Sequence, residues 1–201
     1  MTNDTYDAFT RAGAAGKPLV FSFHGTGGNE NQFVPLVDQL LPGAAIVSPR
    51  GDVSEHGALR FFRRTGEGVY DMDDLARRTE KMTRLIEMHK TANPGRPVYG
   101  IGYSNGANIL ASVLLETPEL FDRAVLLHPL IPWTPRDNAG LAGKQILVTA
   151  GERDPICPPS LTEALIGYFE AQKAGLRSLF HPGGHEIRPE EIDAVAAFLK
   201  A

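Results

Sequence analysis

Residues 97–116 of this 201-residue chain read PVYGIGYSNGANILASVLLE. The first part, residues 97–103, is apolar and of strand length, whereas the residues after Ser104 are apolar on most faces of a helix. The segment also contains the pattern G-x-S-x-G, with Gly102 and Gly106 two positions on either side of Ser104. We therefore expect a strand to pass into a helix across one serine, in a strained turn where only hydrogen fits as the side chain at both glycines.

Strands and helices alternate on both sides of this segment. Apolar runs of strand length occupy residues 18–23, 44–48, 123–128, 144–150 and 176–180. Helical patterns occupy residues 29–41, 71–91, 161–173 and 189–200. This order predicts an α/β fold with a mostly parallel, doubly wound sheet of about six strands. Neither a repeat nor a linker interrupts the pattern, so we expect a single domain over residues 1–201.

The composition argues against several classes of protein. Apolar residues make up 42% of the chain and charged residues 22%, which is typical of a globular protein. The apolar runs are much shorter than the ~20 residues of a bilayer helix, so we expect no membrane insertion. A net charge of -4 offers no basic surface to a phosphate backbone, so nucleic acid is not an expected partner. The acidic balance is compatible with a monomer or a homodimer.

The single cysteine and the polar start of the chain bear on location. Cys157 has no second cysteine with which to form an internal disulfide, as is usual in a reducing compartment. The start, MTNDTYDAFT, has no basic segment followed by an apolar one, the pattern of a secretory signal. We therefore predict a cytoplasmic location. We also expect Cys157 to be a packed thiol, because no glycine-framed turn or helix N-terminus activates it.

Ser104 is the candidate nucleophile, because the turn exposes its hydroxyl at a helix N-terminus. A serine hydroxyl needs a base to take its proton and an acid to orient that base. Asp154 follows the strand predicted over residues 144–150, and His185 follows the last predicted strand. All three residues are thus expected at the same edge of the sheet, in the chain order Ser, Asp, His that accompanies this turn.

Other histidines and acids are weaker candidates for these roles. His89 lies on a predicted helix face, and His56 has no partner near it in the long loop. His128 ends a predicted strand at the same edge, and we interpret it as a structural residue at the rim. Glu152 is the nearest alternative to Asp154, but Asp154 lies further along the loop and is followed by a rigid proline.

A glycine-rich loop, HGTGG at residues 24–28, follows the first predicted strand and leaves its backbone open to approach. The backbone N–H groups of Thr26 and of Asn105, the residue after the nucleophile, are the predicted oxyanion donors. His24 and Gly25, at the start of the loop, are expected to contact substrate. A phosphate-binding loop is the alternative reading, but neither G-x-G-x-x-G nor G-K-[ST] is present.

The long loop over residues 49–68 is expected to form a pocket wall, because loops of this length in α/β domains are often functional. Six side chains on loops at the predicted catalytic edge are expected to make the pocket apolar: Phe61, Phe62, Ile131, Trp133, Ile156 and Cys157. The alternative for Phe61 and Phe62, at least equally favoured, is that they anchor the loop to the core.

Arg60, Arg63 and Arg64 form a cationic cluster in the same loop. Such a cluster beside a pocket can clamp a substrate carboxylate in a bidentate manner, so an acidic ester is one hypothesis. The alternative, slightly favoured, is pairing with acidic residues that follow in the chain: Glu67, Asp71, Asp73 and Asp74.

Six segments together carry a family resemblance: HGTGGNE (24–30), RGDVSEHGALRFFRR (50–64), EGVYDMDDL (67–75), GYSNGAN (102–108), GERDPICP (151–158) and GGHEI (183–187). They resemble the phospholipase/carboxylesterase family of α/β-hydrolases, in particular its small bacterial carboxylesterase branch with dienelactone-hydrolase-like architecture. The resemblance implies an α/β-hydrolase fold without a large cap domain, a serine mechanism that needs no cofactor, and small esters as substrates. By position it implies Ser104 as nucleophile, Asp154 as acid, His185 as base, and Thr26 and Asn105 as oxyanion donors.

One departure from the family's sequence pattern and two alternative functions must be weighed against the prediction of a carboxylesterase. Acyl-protein thioesterases of the family carry tryptophan, phenylalanine and aspartate where this chain reads RFFRR (60–64), which argues against a lipidated-protein substrate. A thioesterase or lactonase remains an alternative, because these reactions share one kind of tetrahedral intermediate. A noncatalytic binding protein usually lacks a triad member, and none is missing here. No metal is expected, because residues 182–184, PGG, break any helix that would align His181 with His185.

Overall fold

The computed structural model describes residues 5–201, so the first four residues of the polar start lie outside it. In chain order the strands are β1 (Ala8–Arg11), β2 (Leu19–Phe23), β3 (Ala45–Pro49), β4 (Val53–Glu55), β5 (Ala58–Arg60), β6 (Arg64–Gly66), β7 (Val69–Tyr70), β8 (Val98–Tyr103), β9 (Arg123–Leu127), β10 (Gln145–Gly151) and β11 (Gly175–His181). The helices are α1 (Val34–Leu40), α2 (Met72–Ala92), α3 (Asn105–Glu116), α4 (Pro159–Ala171) and α5 (Pro189–Lys200). Single 3₁₀ turns lie at Pro118–Leu120 and Ala139–Leu141.

One seven-stranded sheet has the strand order β1-β3-β2-β8-β9-β10-β11. Every neighbouring pair is parallel except β1 and β3, which are antiparallel. The chain passes from β2 to β3 on one side and then returns to β8 on the other side of β2, from where the strands follow in sequence. The mostly parallel, doubly wound sheet predicted from the sequence is therefore confirmed.

Helices cover both faces of the sheet and enclose two apolar clusters. On one face α1 and α5 bury residues such as Val37 and Phe198. On the other face α2, α3 and α4 bury residues such as Met82, Ile109 and Phe169. A parallel strand between two such layers is buried on both sides, which explains why all five residues of β2 are buried.

The structure differs from the predicted elements near the start of the chain. β1 was not predicted, because its sequence AFTR is short, and as an edge strand it is only partly buried. α1 begins at Val34 rather than at residue 29, the start of the predicted range of 29–41, since Pro35 fits the first turn of a helix and residues 30–33 form turns.

The loop over residues 49–68 is not irregular throughout, because it contributes to two short hairpins, β4–β5 and β6–β7. These hairpins are small, and in the part of the chain that the structure describes no large cap domain covers the sheet. Within residues 5–201, no helix combines the length and the apolar character that crossing a bilayer requires.

Candidate active site

Ser104 lies in the turn between β8 and α3 with φ of 52° and ψ of -120°. A non-glycine residue rarely adopts this positive φ. A Cβ atom on Gly102 would lie 2.5 Å from the carbonyl oxygen of Gly106, and one on Gly106 would lie 2.2 Å from that of Phe23. Strand and helix therefore approach so closely that only glycine fits at both positions. The Ser104 N–H donates to the carbonyl of Leu127 at 2.9 Å, which ties the turn to β9.

The three candidate catalytic side chains form one path of hydrogen bonds at the carboxyl ends of β8, β10 and β11. Ser104 Oγ lies 2.9 Å from His185 Nε2. His185 Nδ1 lies 2.7 Å from Asp154 Oδ2. The second oxygen, Asp154 Oδ1, accepts the backbone N–H groups of Ile156 at 2.8 Å and Cys157 at 2.9 Å. The loop backbone thus fixes the plane of the carboxylate that faces His185.

Hydrogen bonds keep the Asp154 carboxylate ionised despite its burial. Burial alone raises the pKa of Asp154, but hydrogen bonds from the Cys157 N–H, His185 and His128 outweigh it and lower that pKa below its ordinary value. An ionised carboxylate only accepts hydrogen bonds, so the facing Nδ1 of His185 carries a proton. Nε2 of His185 is then free to accept the Ser104 hydroxyl.

Tyr103 holds the loop that carries His185, a role that no sequence pattern indicated. The Tyr103 hydroxyl donates to the backbone carbonyl of His185 at 2.7 Å, and the two rings have centroids 5.3 Å apart. Burial raises the pKa of Tyr103 to about 12. The phenol therefore remains a hydrogen-bond donor at neutral pH.

Thr26 and Asn105, the predicted oxyanion donors, line the same cavity as Ser104. Asn105 begins α3, where backbone N–H groups have no carbonyl partner within the helix. Its side-chain Oδ1 accepts the N–H of Phe61 at 2.7 Å, which ties the long loop to the start of α3. The glycine-rich loop is fixed in turn, because the Gly27 N–H donates to a carbonyl on β5 at 3.0 Å.

The cavity above Ser104 has a volume of about 260 Å³ and a wall of mixed polarity. Its lining residues are Thr26, Arg60, Arg64, Glu67, Gly68, Tyr70, Tyr103, Ser104, Asn105, Asn108, Leu130, Ile156, Cys157 and His185. The long loop contributes both arginines, Glu67 and Gly68 to this wall. Of the predicted substrate contacts, Arg60 and Ile156 are among its residues.

The prediction that Phe61 and Phe62 line the pocket is wrong, because both side chains are fully buried in the core. The Phe61 ring packs against Phe23, with centroids 5.9 Å apart. The Phe62 ring packs against Tyr70 at 4.8 Å. Both phenylalanines thus anchor the long loop, which was the alternative that the sequence left open.

Three further predicted substrate contacts lie away from the cavity surface. His24 is only 1% exposed, and its Nε2 accepts the Gly51 N–H at 2.9 Å. Gly25 lies under the ring of Tyr103, where a Cβ atom would approach that ring to 2.7 Å. Trp133 packs beside Tyr70 and lines two other cavities. His24 and Gly25 therefore support the loop structurally rather than face a ligand.

The arginine cluster pairs with a carboxylate that the sequence did not single out. Arg64 Nε donates to both oxygens of Glu55 at 2.9 and 3.0 Å. Arg60 Nη1 lies 3.3 Å from the same carboxylate and 3.1 Å from Thr26 Oγ1. Arg63 uses its backbone N–H to bind Asp74 at 2.8 Å. Two guanidinium groups beside the cavity thus share Glu55, instead of pairing with the acids that follow in the chain.

A second group of ionisable side chains, which we call the buried network, lies behind Asp154 and consists of His128, Glu191 and His181. None of the three is more than 1% exposed. His128 Nδ1 lies 2.9 Å from Asp154 Oδ2, and His128 Nε2 lies 3.1 Å from Glu191 Oε1. His181 Nε2 lies 3.2 Å from Glu191 Oε2. His128 therefore contacts the candidate acid directly, whereas Glu191 resembles an ordinary first-turn residue in the sequence.

The histidines and carboxylates of the active site and the buried network lie close enough together to ligate a metal ion. The ligand atoms of His128, His181 and Glu191 lie within 4.8 Å of one another, as do those of His128, Asp154 and His185. In the first group, His181 Nδ1 accepts the N–H of Gly183 at 3.1 Å, so a neutral ring carries its proton on Nε2, the atom that a metal would need. In the second group, both imidazole Nδ1 atoms face the Asp154 carboxylate as donors. These hydrogen bonds favour protons over a metal ion.

Known proteins resemble this chain over nearly its whole length. No protein-family model matches it. "Putative hydrolase MhqD" of Bacillus subtilis (strain 168) is 36% identical over 186 residues, which cover 90% of this chain and 92% of that protein. The Bacillus cereus carboxylesterase crystal structure is 34% identical, covers 99% of this chain and 96% of its own, and superposes with a TM-score of 0.92. The chain belongs to the carboxylesterase family of α/β-hydrolases.

A further member of this structural group has no assigned role. Protein Atu2452 of Agrobacterium tumefaciens str. C58, of unknown function, is 57% identical, with a TM-score of 0.91 over 100% of this chain and 98% of its own. Together with the carboxylesterase relative, the comparison confirms the predicted α/β-hydrolase fold. As a carboxylesterase-family protein, the chain is a carboxylic ester hydrolase.

Proposed function

We propose that the chain is a serine carboxylesterase that hydrolyses small carboxylic esters through an acyl-enzyme intermediate. The observation that carries the proposal is the path of hydrogen bonds from Ser104 Oγ to His185 Nε2 at 2.9 Å and from His185 Nδ1 to Asp154 at 2.7 Å. Both distances suit proton transfer and orientation of the base. Ser104 is the nucleophile, His185 the general base and Asp154 the residue that orients it.

Acylation follows from these positions. Ser104 Oγ attacks the ester carbonyl carbon while its proton moves to His185 Nε2, and the carbonyl π electrons move onto oxygen. The backbone N–H groups of Thr26 and Asn105 are proposed to bind that oxyanion. When the tetrahedral intermediate collapses, the carbon–oxygen bond to the alcohol breaks and His185 protonates the leaving oxygen. The ionised Asp154 stabilises the imidazolium while it exists.

Deacylation reverses the roles with water as the nucleophile. His185 takes a proton from water, the resulting hydroxide attacks the acyl group on Ser104, and collapse returns the proton to Ser104 Oγ as the acid leaves. A cavity of about 260 Å³ suits an ester of modest size. Thioester or lactone substrates would follow the same steps and are the alternatives.

The test is hydrolysis of p-nitrophenyl esters of increasing acyl length by the wild-type protein and by Ser104→Ala, with fluorophosphonate labelling in parallel. Loss of both signals in the variant, together with a preference for short acyl chains, is the expected result. Parallel assays on acyl thioesters and lactones rank the alternatives by kcat/KM. Ester hydrolysis that survives in Ser104→Ala would overturn the assignment of the nucleophile.

A finer proposal concerns the charge of the substrate, namely that esters bearing a carboxylate are preferred. Arg60 and Arg64 line the cavity and share the carboxylate of Glu55, so these three side chains carry one net positive charge, for which Glu67 on the same wall competes with a ligand. Arg60→Ala is expected to lower kcat/KM for a carboxylate-bearing ester about ten-fold relative to its neutral analogue. Arg63→Ala, which changes an exposed arginine outside this cavity, is the control. An unchanged ratio in Arg60→Ala would overturn the proposal.

The remaining sequence predictions belong to the same proposal. We propose that residues 1–201 act as one domain in the cytoplasm, on a small-molecule ester and without nucleic acid, as a monomer or a homodimer. Size-exclusion chromatography with light scattering distinguishes the two oligomeric states.

A further inference from the structure

We infer that His128 is a positively charged positioning residue, an imidazolium held between Asp154 and Glu191 and close enough to oppose a second positive charge on His185. The inference rests on the proposed role of His185 as general base. It concerns the buried network, which the reaction steps above do not use.

Glu191 is surrounded by donors. Its Oε1 accepts the hydroxyl of Thr149 at 2.6 Å, and its Oε2 accepts the backbone N–H of Arg188 at 2.7 Å. Oε2 also lies 3.2 Å from Nε2 of His181. Since Nδ1 of His181 accepts the Gly183 N–H, its Nε2 carries the proton and donates to Glu191. A carboxylate that accepts these hydrogen bonds is stabilised in its ionised form.

The protons on His128 follow from its two neighbours. Nδ1 faces Oδ2 of Asp154 at 2.9 Å, and Nε2 faces Oε1 of Glu191 at 3.1 Å. Both of these neighbours are carboxylate oxygens, which only accept when ionised, so each ring nitrogen donates. Nε2 of His181 lies farther from Nε2 of His128, at 3.4 Å, than from Glu191 Oε2, at 3.2 Å, and donates to the carboxylate. An imidazole that donates from both nitrogens carries a positive charge. The buried charges of the two acids are thereby partly compensated.

The electrostatic environment of His128 and Glu191 agrees with this assignment of protons. Burial alone lowers the pKa of His128, but its hydrogen bonds to Glu191 and Asp154 outweigh burial and raise that pKa above its ordinary value. Burial alone raises the pKa of Glu191, but hydrogen bonds from His128, Thr149 and the Arg188 N–H outweigh burial and lower it. The proton between the two side chains therefore resides on the histidine.

Two contacts connect this charge to His185. Both imidazoles donate to the same oxygen, Asp154 Oδ2, and their ring centroids lie 5.2 Å apart. A cation at this distance opposes a second positive charge on His185, and the shared oxygen has less capacity to stabilise that charge. The titratable groups that face His128 are Asp154, Glu191, His181, His185, Tyr103 and Cys157.

The first test is the pH dependence of kcat/KM for a neutral p-nitrophenyl ester. His128→Asn removes the charge and suits the backbone, because His128 has φ of 51° and asparagine tolerates positive φ well. The midpoint of the acidic limb is expected to move to higher pH by about one unit. A purely structural role would lower activity or stability and leave the midpoint in place, and that result would overturn the inference.

A second variant and a control separate charge from packing. Glu191→Gln leaves His128 in position but removes the carboxylate that retains its proton, so the midpoint should move in the same direction. Ser22→Ala breaks a buried hydrogen bond between Ser22 and Ser48 at 2.9 Å and touches none of the network. This control is expected to keep the wild-type midpoint. Opposite shifts in the two network variants would contradict a shared charge.

The second measurement does not depend on activity. In ¹⁵N-labelled protein at pH 7.5, both ring nitrogens of His128, assigned by comparison with His128→Asn, should show the shifts of a protonated imidazolium. A neutral ring would overturn the inference even if the enzyme is active. If the imidazolium is present but Ser104→Ala retains activity, the proposed mechanism fails while the charge assignment stands. If the protein instead contains one equivalent of zinc, and removal of that zinc by a chelator shifts the Nε2 signals of His128 and His181, a metal ion and not a proton occupies this position, and the inference is overturned.

Discussion

Replacement of Gly106 by alanine is expected to destabilise the fold and to reduce activity through one displacement. The new Cβ atom would lie 2.2 Å from the carbonyl oxygen of Phe23 and 2.5 Å from that of His24. Both oxygens belong to the backbone at the end of β2, so neither can rotate away. Since unstrained contacts of this kind begin near 3.4 Å, the start of α3 must move away from β2 by roughly 1 Å.

The expected change in the free energy of unfolding combines two opposing effects. Overpacking of a well-packed interior costs about 1–3 kcal/mol, and a contact with fixed backbone lies at the upper end. Alanine recovers at most ~1 kcal/mol of helix propensity relative to glycine. We therefore expect the free energy of unfolding to fall by about 2 kcal/mol, equivalent to a melting temperature lower by about 4–8 °C in a chain of this length. Displacement of Ser104 from His185 should reduce kcat/KM about 100-fold.

The assay is thermal unfolding followed by circular dichroism, with ester hydrolysis measured on the same samples at 20 °C. Gly167→Ala is the matched control, because Gly167 lies exposed within α4 and no atom would approach its Cβ within 4 Å. This control should raise the melting temperature by about 2 °C and leave activity unchanged. If Gly106→Ala melts at the wild-type temperature with full activity, the proposed close contact between β2 and α3 is wrong.

Three further predictions concern the site. Asp154→Asn should lower kcat by three to four orders of magnitude, ~10⁴ at most, with the circular dichroism spectrum unchanged, because the tautomer of His185 is no longer fixed. The free energy of unfolding in urea should decrease as pH falls below about 4, because Asp154 and Glu191 have lowered pKa values when folded and the unfolded chain then binds more protons; Glu191→Gln should show a shallower decrease. Cys157 should resist iodoacetamide at pH 8 until the protein is unfolded in urea, since burial raises the pKa of its thiol; rapid labelling of native protein would contradict this.

The regular elements of the fold were largely predictable from local pattern. α5 has the predicted bounds, and α2 differs by one residue at each end, because both have amphipathic periodicity and clear first-turn residues. β1 could not be predicted, since a four-residue edge strand gains its stability from pairing with β3 rather than from its own sequence. The two hairpins between Val53 and Tyr70 likewise depend on contacts with the loops around them.

The prediction of site residues succeeded or failed according to what determines each side chain's position. Ser104, Asp154 and His185 were predicted from turn chemistry and from their places after parallel strands, and the structure brings these three side chains together. Phe61 and Phe62 were ambiguous, because a loop sequence does not reveal which of its apolar side chains point into the core. Glu55 lies on the β4–β5 hairpin, and its pairing with the arginines depends on how that hairpin folds back.

The sequence by itself determined the alternation of strands and helices, the sharp turn at Ser104 and the chain order of the three candidate catalytic residues. These features depend on hydrophobic period and on the stereochemistry of glycine and proline, which act over a few neighbouring residues. Only the tertiary structure decided that His128 and Glu191 lie behind Asp154. Their contact joins the end of β9 to the first turn of α5, residues 63 positions apart, and the positive charge that we infer on His128 depends on the two buried carboxylates that this packing places beside it.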